Sequence, residues 1–401
     1  MASNTPTTLA SRLKEQFADG ISQLVPGTIR LGKLKFRKEL GKNYNLDLQL
    51  SDELGHSVGQ GSVTLNGTIA QSSARATVDA YSHILQYQAS YDLINRAQGG
   101  GKSFASFTDS KFIPATESFQ RRQEILYMYG REGLGKVLTN TSGALVISVD
   151  TWCPTVWLGL KGATLEAWTS KSAGSQHNGV LTISAVDVST RTVTVTGTSS
   201  AVVADDHLFF TGTHAAGHIG LMSIARNTGT IFGVDAAVNE VWKANSYDVG
   251  TSAITLGKIL SGAALAANKG CAEKLVCLVP IKAYQGLVAD ESALRSYGAD
   301  YNGKAKNGFS SITFLGASGE IEVQPYQFIK EGEMLMYPER WTYIIGSGQM
   351  DMEVGQDGKM YFDVATTSDK EMRLFADTQI FCEKPGYVVF GTRSDSLALH
   401  S

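Results

Sequence analysis

The chain has 401 residues, room for two or three compact units at roughly 100–200 residues each. Its 35 basic and 38 acidic residues leave a formal charge of −3, which excludes a general attraction to nucleic acid or anionic lipid and makes any DNA contact local. With 43% hydrophobic and 18% charged residues, four cysteines without a CxxC pair and no apolar run near the roughly 18 residues of a spanning helix, the sequence reads as an ordered protein with reduced thiols, no membrane span and a surface covered in part by neighbours.

In chain order, Leu9, Leu13, Phe17, Ile21 and Leu24 recur at helical spacing until Pro26 and Gly27 interrupt them. Such a short apolar stripe cannot form a core alone and must dock elsewhere. Tyr44 to Leu50 alternates strictly: Tyr44, Leu46, Leu48 and Leu50 on one face, Asn45, Asp47 and Gln49 on the other. Past a polar, glycine-rich tip, Ser51 to Gly61, which includes Asp52 and Glu53, a return run carries Val63, Leu65 and Ile69, then Ala74, Ala76, Val78 and Ala80. This predicts a long hairpin, and since an isolated two-stranded ribbon is marginal in water, one that leans on another molecule.

Between Ser103 and Tyr129 the spacing turns helical, with Glu117 and Arg121 as an i,i+4 pair. Pro114 either opens a helix that ends at Tyr129 under a Gly130 cap or kinks a longer one from Ser103. Residues 143–212 shift to Val, Thr and Ser, with strands expected at 144–149, 180–186, 192–196 and 207–211, the middle pair joined by the turn Asp187–Thr190. A helix through Ile259, Ala263 and Ala267 closes at Gly270. Beyond it follow a buried strand 275–279, a helix opened by Pro280, and a hairpin pairing 311–315 with 321–324. A strand at 360–364 and a last hairpin, 379–383 with 387–390 turned by Lys384-Pro385-Gly386, end the pattern. The class is α+β.

This order, with arm, projecting hairpin, long helix, inserted β-subdomain, α+β unit and closing strands, resembles the major capsid proteins of tailed double-stranded DNA bacteriophages, the Hong Kong 97-type fold. Two local runs carry the resemblance as well. Leu126-Tyr-Met-Tyr-Gly-Arg-Glu-Gly133 is similar to the glycine-rich exit of that fold's spine helix. Gly217-His-Ile-Gly-Leu-Met-Ser-Ile224, with Thr228–Asp235 and Val241-Trp242, is similar to the stretch leading into its axial domain.

The resemblance implies an N-terminal arm at 1–35, an extended loop at 36–85, a peripheral domain with the spine helix at 86–141, an inserted β-rich subdomain at 142–235, an axial domain at 236–377 and closing peripheral strands at 378–401. It implies a virion protein assembled in the host cytoplasm, forming pentamers and hexamers of an icosahedral shell around packaged DNA on its inner face. Its partners would be a portal, a decoration protein and, since only 1–35 precedes the loop, a separate scaffolding protein. The expected contacts between subunits are Leu9, Leu13, Phe17, Tyr44, Leu46, Leu48, Leu50, Asp52, Glu53, Arg121 and Arg122. On that basis Leu46→Asp with Leu48→Asp would leave a folded subunit that fails to assemble. Some relatives crosslink a loop lysine to a neighbour's asparagine; here no lysine lies between Lys42 and Lys102, so no such crosslink is expected. A tail-tube protein, its 143–212 strands joined in a ring, is the alternative.

No enzymatic, cofactor or metal site is expected. Gly130–Lys136 has the spacing of a phosphate loop, but Val137 stands where a hydroxyl is needed and a helix, not a strand, precedes it. His207, His214 and His218 lack the further ligands of a zinc site and read as exposed turn residues. Asp205 and Asp206 read as a polar turn, and Cys271 and Cys277 as packing. Arg121 and Arg122 could meet packaged DNA, though a solvated face or an ion pair between subunits is the stronger reading.

Overall fold

The computed structural model describes residues 29–38, 41, 43–90, 113–172, 174–177, 179–214, 217–289, 312–316, 319–354, 362–364, 367 and 369–393. Leu9, Leu13 and Phe17 of the expected arm, and the segment from Ser103 to Phe112, lie outside them.

The helix α1 spans Ile113–Met128, with Pro114 in its first turn, where a missing N–H costs nothing. Ile125 to Tyr129 are all buried, so the helix end is apolar on every side and runs through the centre of the molecule. One face lies against a five-stranded sheet made of β1 (Phe36–Lys38), β18 (Thr342–Met352), β20 (Lys370–Cys382) and β19 (Phe362–Asp363), with β4 (Tyr81–Ala89) pairing along the other edge of β20. Tyr127 and Gln123 both donate to the Thr378 hydroxyl, at 2.9 and 3.1 Å, fixing helix to sheet. β4 was not expected from the sequence.

After α1 the chain closes a six-stranded antiparallel barrel in the order β10 (His207–Phe210), β5 (Gly135–Thr141), β6 (Ala144–Ile147), β9 (Thr192–Thr196), β8 (Leu181–Asp187) and β7 (Thr164–Trp168). Alternate residues such as Val137, Leu145, Leu165, Ile183, Val193 and Leu208 fill it. Four of these strands match the expectation, and Asp187 accepts from the Ser189 amide at 2.9 Å in the predicted turn. The first barrel strand starts at Gly135, so the inserted unit opens before residue 142. Closure leaves no free strand edge.

The third layer is a six-stranded mixed sheet, β13 (Asn245–Asp248), β21 (Val389–Thr392), β17 (Glu333–Pro338), β14 (Leu275–Val279), β16 (Gly319–Pro325) and β15 (Ile312–Gly316). The helix Leu256–Asn268, ended by Gly270 at φ 88, covers one face, and Ile281–Ala289 follows β14. The expected last hairpin does not form. β20 belongs to the first sheet and β21 to this one, because the turn at Pro385–Tyr387 hands the chain across. Gly386 permits this: a Cβ there would lie 2.4 Å from the Val241 carbonyl oxygen.

Candidate assembly surfaces and the joint between units

Residues that the sequence kept apart meet where the helix ends. Gly130 has φ 48, and the bridge Gly130↔Ile219 lays the run 217–224 against the helix exit. A Cβ on Gly130 would stand 2.1 Å from the His218 carbonyl oxygen, and one on Gly220 would stand 2.5 Å from the Tyr129 carbonyl carbon. Two glycines therefore let two backbones touch, which explains why both runs are glycine-bearing. Around this contact Glu132, Lys171, Arg226, Lys330 and Glu333 form a charge network in which Lys330 and Glu333 are buried and the other three partly so. Arg226 bridges Glu132 at 3.0 Å and Glu333 at 2.7 Å, and Lys171 reaches Glu132 at 2.9 Å. Burial opposes ionisation of Glu132, yet Lys171 and Arg226 hold it below the usual carboxylate range. Burial pushes the Lys330 amine down to about 8, and it donates to the Gly133 carbonyl at 2.9 Å. One network thus clamps helix exit, barrel and mixed sheet together.

At the other side of α1, Glu124 is fully buried. Its carboxylate accepts the amides of Arg30, Leu31 and Gly32 at 2.7–2.9 Å and the Tyr326 hydroxyl at 2.7 Å. The segment that enters from the N-terminal side is held there by charge-assisted hydrogen bonds, the stronger kind.

The hairpin divides into two parts. Its base is β2 (Tyr44–Gln49) paired antiparallel with β3 (Ser73–Val78). Ala76 and Val78 are buried, Tyr44, Leu46, Leu48 and Leu50 pack on the chain's own core, and the Tyr44 ring meets Phe381 edge-on at 6.3 Å. The apolar face expected to clasp a neighbour thus lies on this chain, because β20 and the turn at Phe232 supply the cover the sequence did not reveal; Thr77 donates to the Phe232 carbonyl at 2.8 Å. The tip, 51–72, contains no strand and is held by the bridge Leu54↔Ile69, by Asn66 donating to the Ser57 hydroxyl and the His56 carbonyl, both at 2.7 Å, and by the Ser72 amide donating to the Ser51 hydroxyl at 2.8 Å. Val58 is 97% exposed and Leu65 84%, with Leu54 and Ile69 more than half exposed and Asp52 and Glu53 exposed beside them. These apolar side chains are left in water in the chain by itself.

Arg121 and Arg122 do not form a solvated face. Arg121 is buried and donates to the Thr155 and Leu158 carbonyls rather than pairing with Glu117, while Arg122 sits over the Phe210 ring. His214 and His218 are buried rather than exposed: His214 stacks on Trp168 at 3.8 Å and His218 on His83 at 4.3 Å. Their aromatic contacts, invisible in sequence, draw them inward. Among the described residues no group of three or more His, Cys, Asp or Glu is placed to hold a metal ion. Lys136, last residue of the loop-like run, pairs with Asp205 at 2.6 Å, and Asp206 accepts the Val203 amide at 2.8 Å. All four cysteines are free and buried, and burial pushes Cys153 and Cys382 up to about 11, where thiols are inert.

Among solved structures, 98% of the chain matches all of a chain in the cyanophage A-1(L) capsid asymmetric unit, with a TM-score of 0.58 at 11% identity. A chain of the native GTA particle capsid gives 0.53 at 8% identity, over 98% of this chain and 100% of that one. The cyanophage Pam1 capsid asymmetric unit gives 0.51 at 9% identity, over 98% and 99%. No family model and no curated protein sequence matches the chain. The likeness spans every layer and establishes the fold: the chain has the α+β fold of phage capsid chains, as its order of elements led us to expect.

Proposed function

We propose that the chain is a major capsid protein that self-assembles through pentamers and hexamers into an icosahedral shell enclosing phage genomic DNA. The observation that carries this reading is the end-to-end match to capsid chains, 98% of this chain against 97–100% of theirs. A shell needs many modest contacts that close under symmetry, so a subunit should carry more than one projecting, incompletely buried element. The hairpin tip, with Leu54, Val58 and Leu65, is one such element; Leu9, Leu13 and Phe17, outside the described residues, are proposed as further contacts on the strength of their helical spacing alone. On this reading the hairpin from β2 to β3 is the extended loop and the six-stranded mixed sheet with its helices the axial domain, whose bounds depart from the expected 236–377 because β18 to β20 join the sheet on α1 and β21 joins the mixed sheet. The proposed partners are a separate scaffolding protein, a portal, a decoration protein and DNA on the inner face. The site is the virion, after assembly in the host cytoplasm, and the role is structural rather than enzymatic. The tail-tube alternative loses its support because the strands meant for a ring close on themselves within one chain.

The test is negative-stain imaging of the full-length chain expressed alone and with its scaffolding partner. Polyhedral particles are expected; tubes, or only monomers under both conditions, would overturn the reading.

A further inference from the structure

A cavity of about 470 Å³ lies between α1, β4 and the loops at one end of the barrel. Its cations are Arg121 and Arg122 from the helix and Lys161 from the turn before β7, and among the described residues no carboxylate lines it. The hydroxyl residues Ser82, Ser118 and Thr213 share the wall. Arg121 is only 7% exposed, and its Nε is buried without a hydrogen-bond partner. Arg122 adds a second guanidinium and has no ion pair among the described residues. Burial, and then the adjacent Arg121, pull Arg122 down to about 9. A guanidinium does not escape such a site by losing its proton at neutral pH, so two neighbouring cations, one on the Thr155 and Leu158 carbonyls and one over the Phe210 ring, have no carboxylate counter-charge among the described residues. The fourth basic group, His83, adds no competing charge. Burial, and then Arg122, push it down to about 4, and its Nε2 is buried and unpartnered. Buried charge is tolerated when it is paired, and a planar guanidinium is best paired by a group with two or three oxygens.

We propose that this cavity is an oxyanion site, taking one carboxylate or phosphate group between Arg121 and Arg122 with Lys161 at its mouth. Its volume suits a small oxyanion or one acidic side chain and excludes duplex DNA, so the two arginines are not a genome contact. The same chemistry has two sources, a free anion or an acidic side chain from a second copy of the chain, for which the exposed Asp52 and Glu53 are available.

Inorganic phosphate titrated against the unassembled full-length chain, in chloride of matched ionic strength, reads the site through thermal unfolding. At tenfold excess over Kd the wild type gains about 2 °C or more. Arg122→Gln abolishes the gain and Lys161→Gln reduces it, with native circular dichroism retained. No gain in the wild type overturns the site, as does an equal gain in wild type and both variants, which would signal an adventitious ion only. Should Arg122→Gln fail to fold, Lys161→Gln, at the exposed mouth, decides alone. Particles identify the source. Continued protection by phosphate in particles assigns a free anion. Loss of the phosphate response on assembly, restored by Asp52→Asn with Glu53→Gln, assigns a neighbour's carboxylate. The subunit measurement does not rest on the shell reading and stands if no particle forms.

Discussion

Glu124 shows how much one side chain can organise. Three backbone amides and a phenol point at its carboxylate from positions about 93 residues upstream and 202 downstream, with Leu31 and Tyr326 buried and Arg30 and Gly32 half-buried. Glu124→Ala strands those donors at about 1–3 kcal/mol for a buried orphan, so we expect a loss of at least about 3 kcal/mol in urea unfolding of the full-length chain. Glu124→Gln keeps one acceptor oxygen and should cost less. A loss below about 1 kcal/mol for the alanine variant would show that water replaces the carboxylate. Nothing in the sequence marks this residue, since a glutamate on a helix is ordinarily solvated and its partners here are set by tertiary approach alone. Arg121 escaped for the same reason. Its helical spacing to Glu117 was visible, but the carbonyls of Thr155 and Leu158 that capture it come from another element. Cys271 and Cys277 read correctly because apolar neighbours in sequence already imply burial.

Elements were legible where local pattern and final environment agree. The run 275–279 is apolar throughout and lies buried between β16 and β17, and the alternation at 192–196 returns as β9 without change. β5 was hidden because its first residues continue a glycine-rich helix exit, and β7 because it is short and carries Glu166. The hairpin is the instructive case: alternation located its base and one-sided greasiness was real, but sequence could not say whose core the greasy side would meet. Leu46 and Leu48 meet this chain's own core, so Leu46→Asp is expected to destabilise the subunit by about 2–4 kcal/mol, contrary to the sequence expectation of a sound subunit. Leu65→Asp, at an 84% exposed position, should leave circular dichroism and Tm unchanged and abolish particles in electron micrographs. Normal particles from Leu65→Asp would remove the tip from the assembly contacts.

At the scale of the molecule, the order of elements was readable, while the pairings that join them were not: the five-stranded sheet draws on 36–38, 81–89 and 342–382, and the mixed sheet on 245–338 and 389–392. β1 lies parallel to β18, β13 parallel to β21, and β4 against the length of β20, each joining residues more than a hundred positions apart that carry no mark of their partner. Such long-range closure leaves the chain a single body held by buried charge and packing, and the proposed shell must then be held by surfaces of the same kind. A covalent ladder between subunits through the loop would need an amine in it, and from 43 to 101 the sequence offers no lysine. Particles boiled in detergent should therefore run as monomers near 43.0 kDa. Shell integrity should also fall with denaturant in one reversible step of contact loss rather than persist as linked rings. Denaturation-resistant multimers that survive reducing agent would place a crosslink elsewhere on the chain and refute a shell closed by non-covalent contact alone.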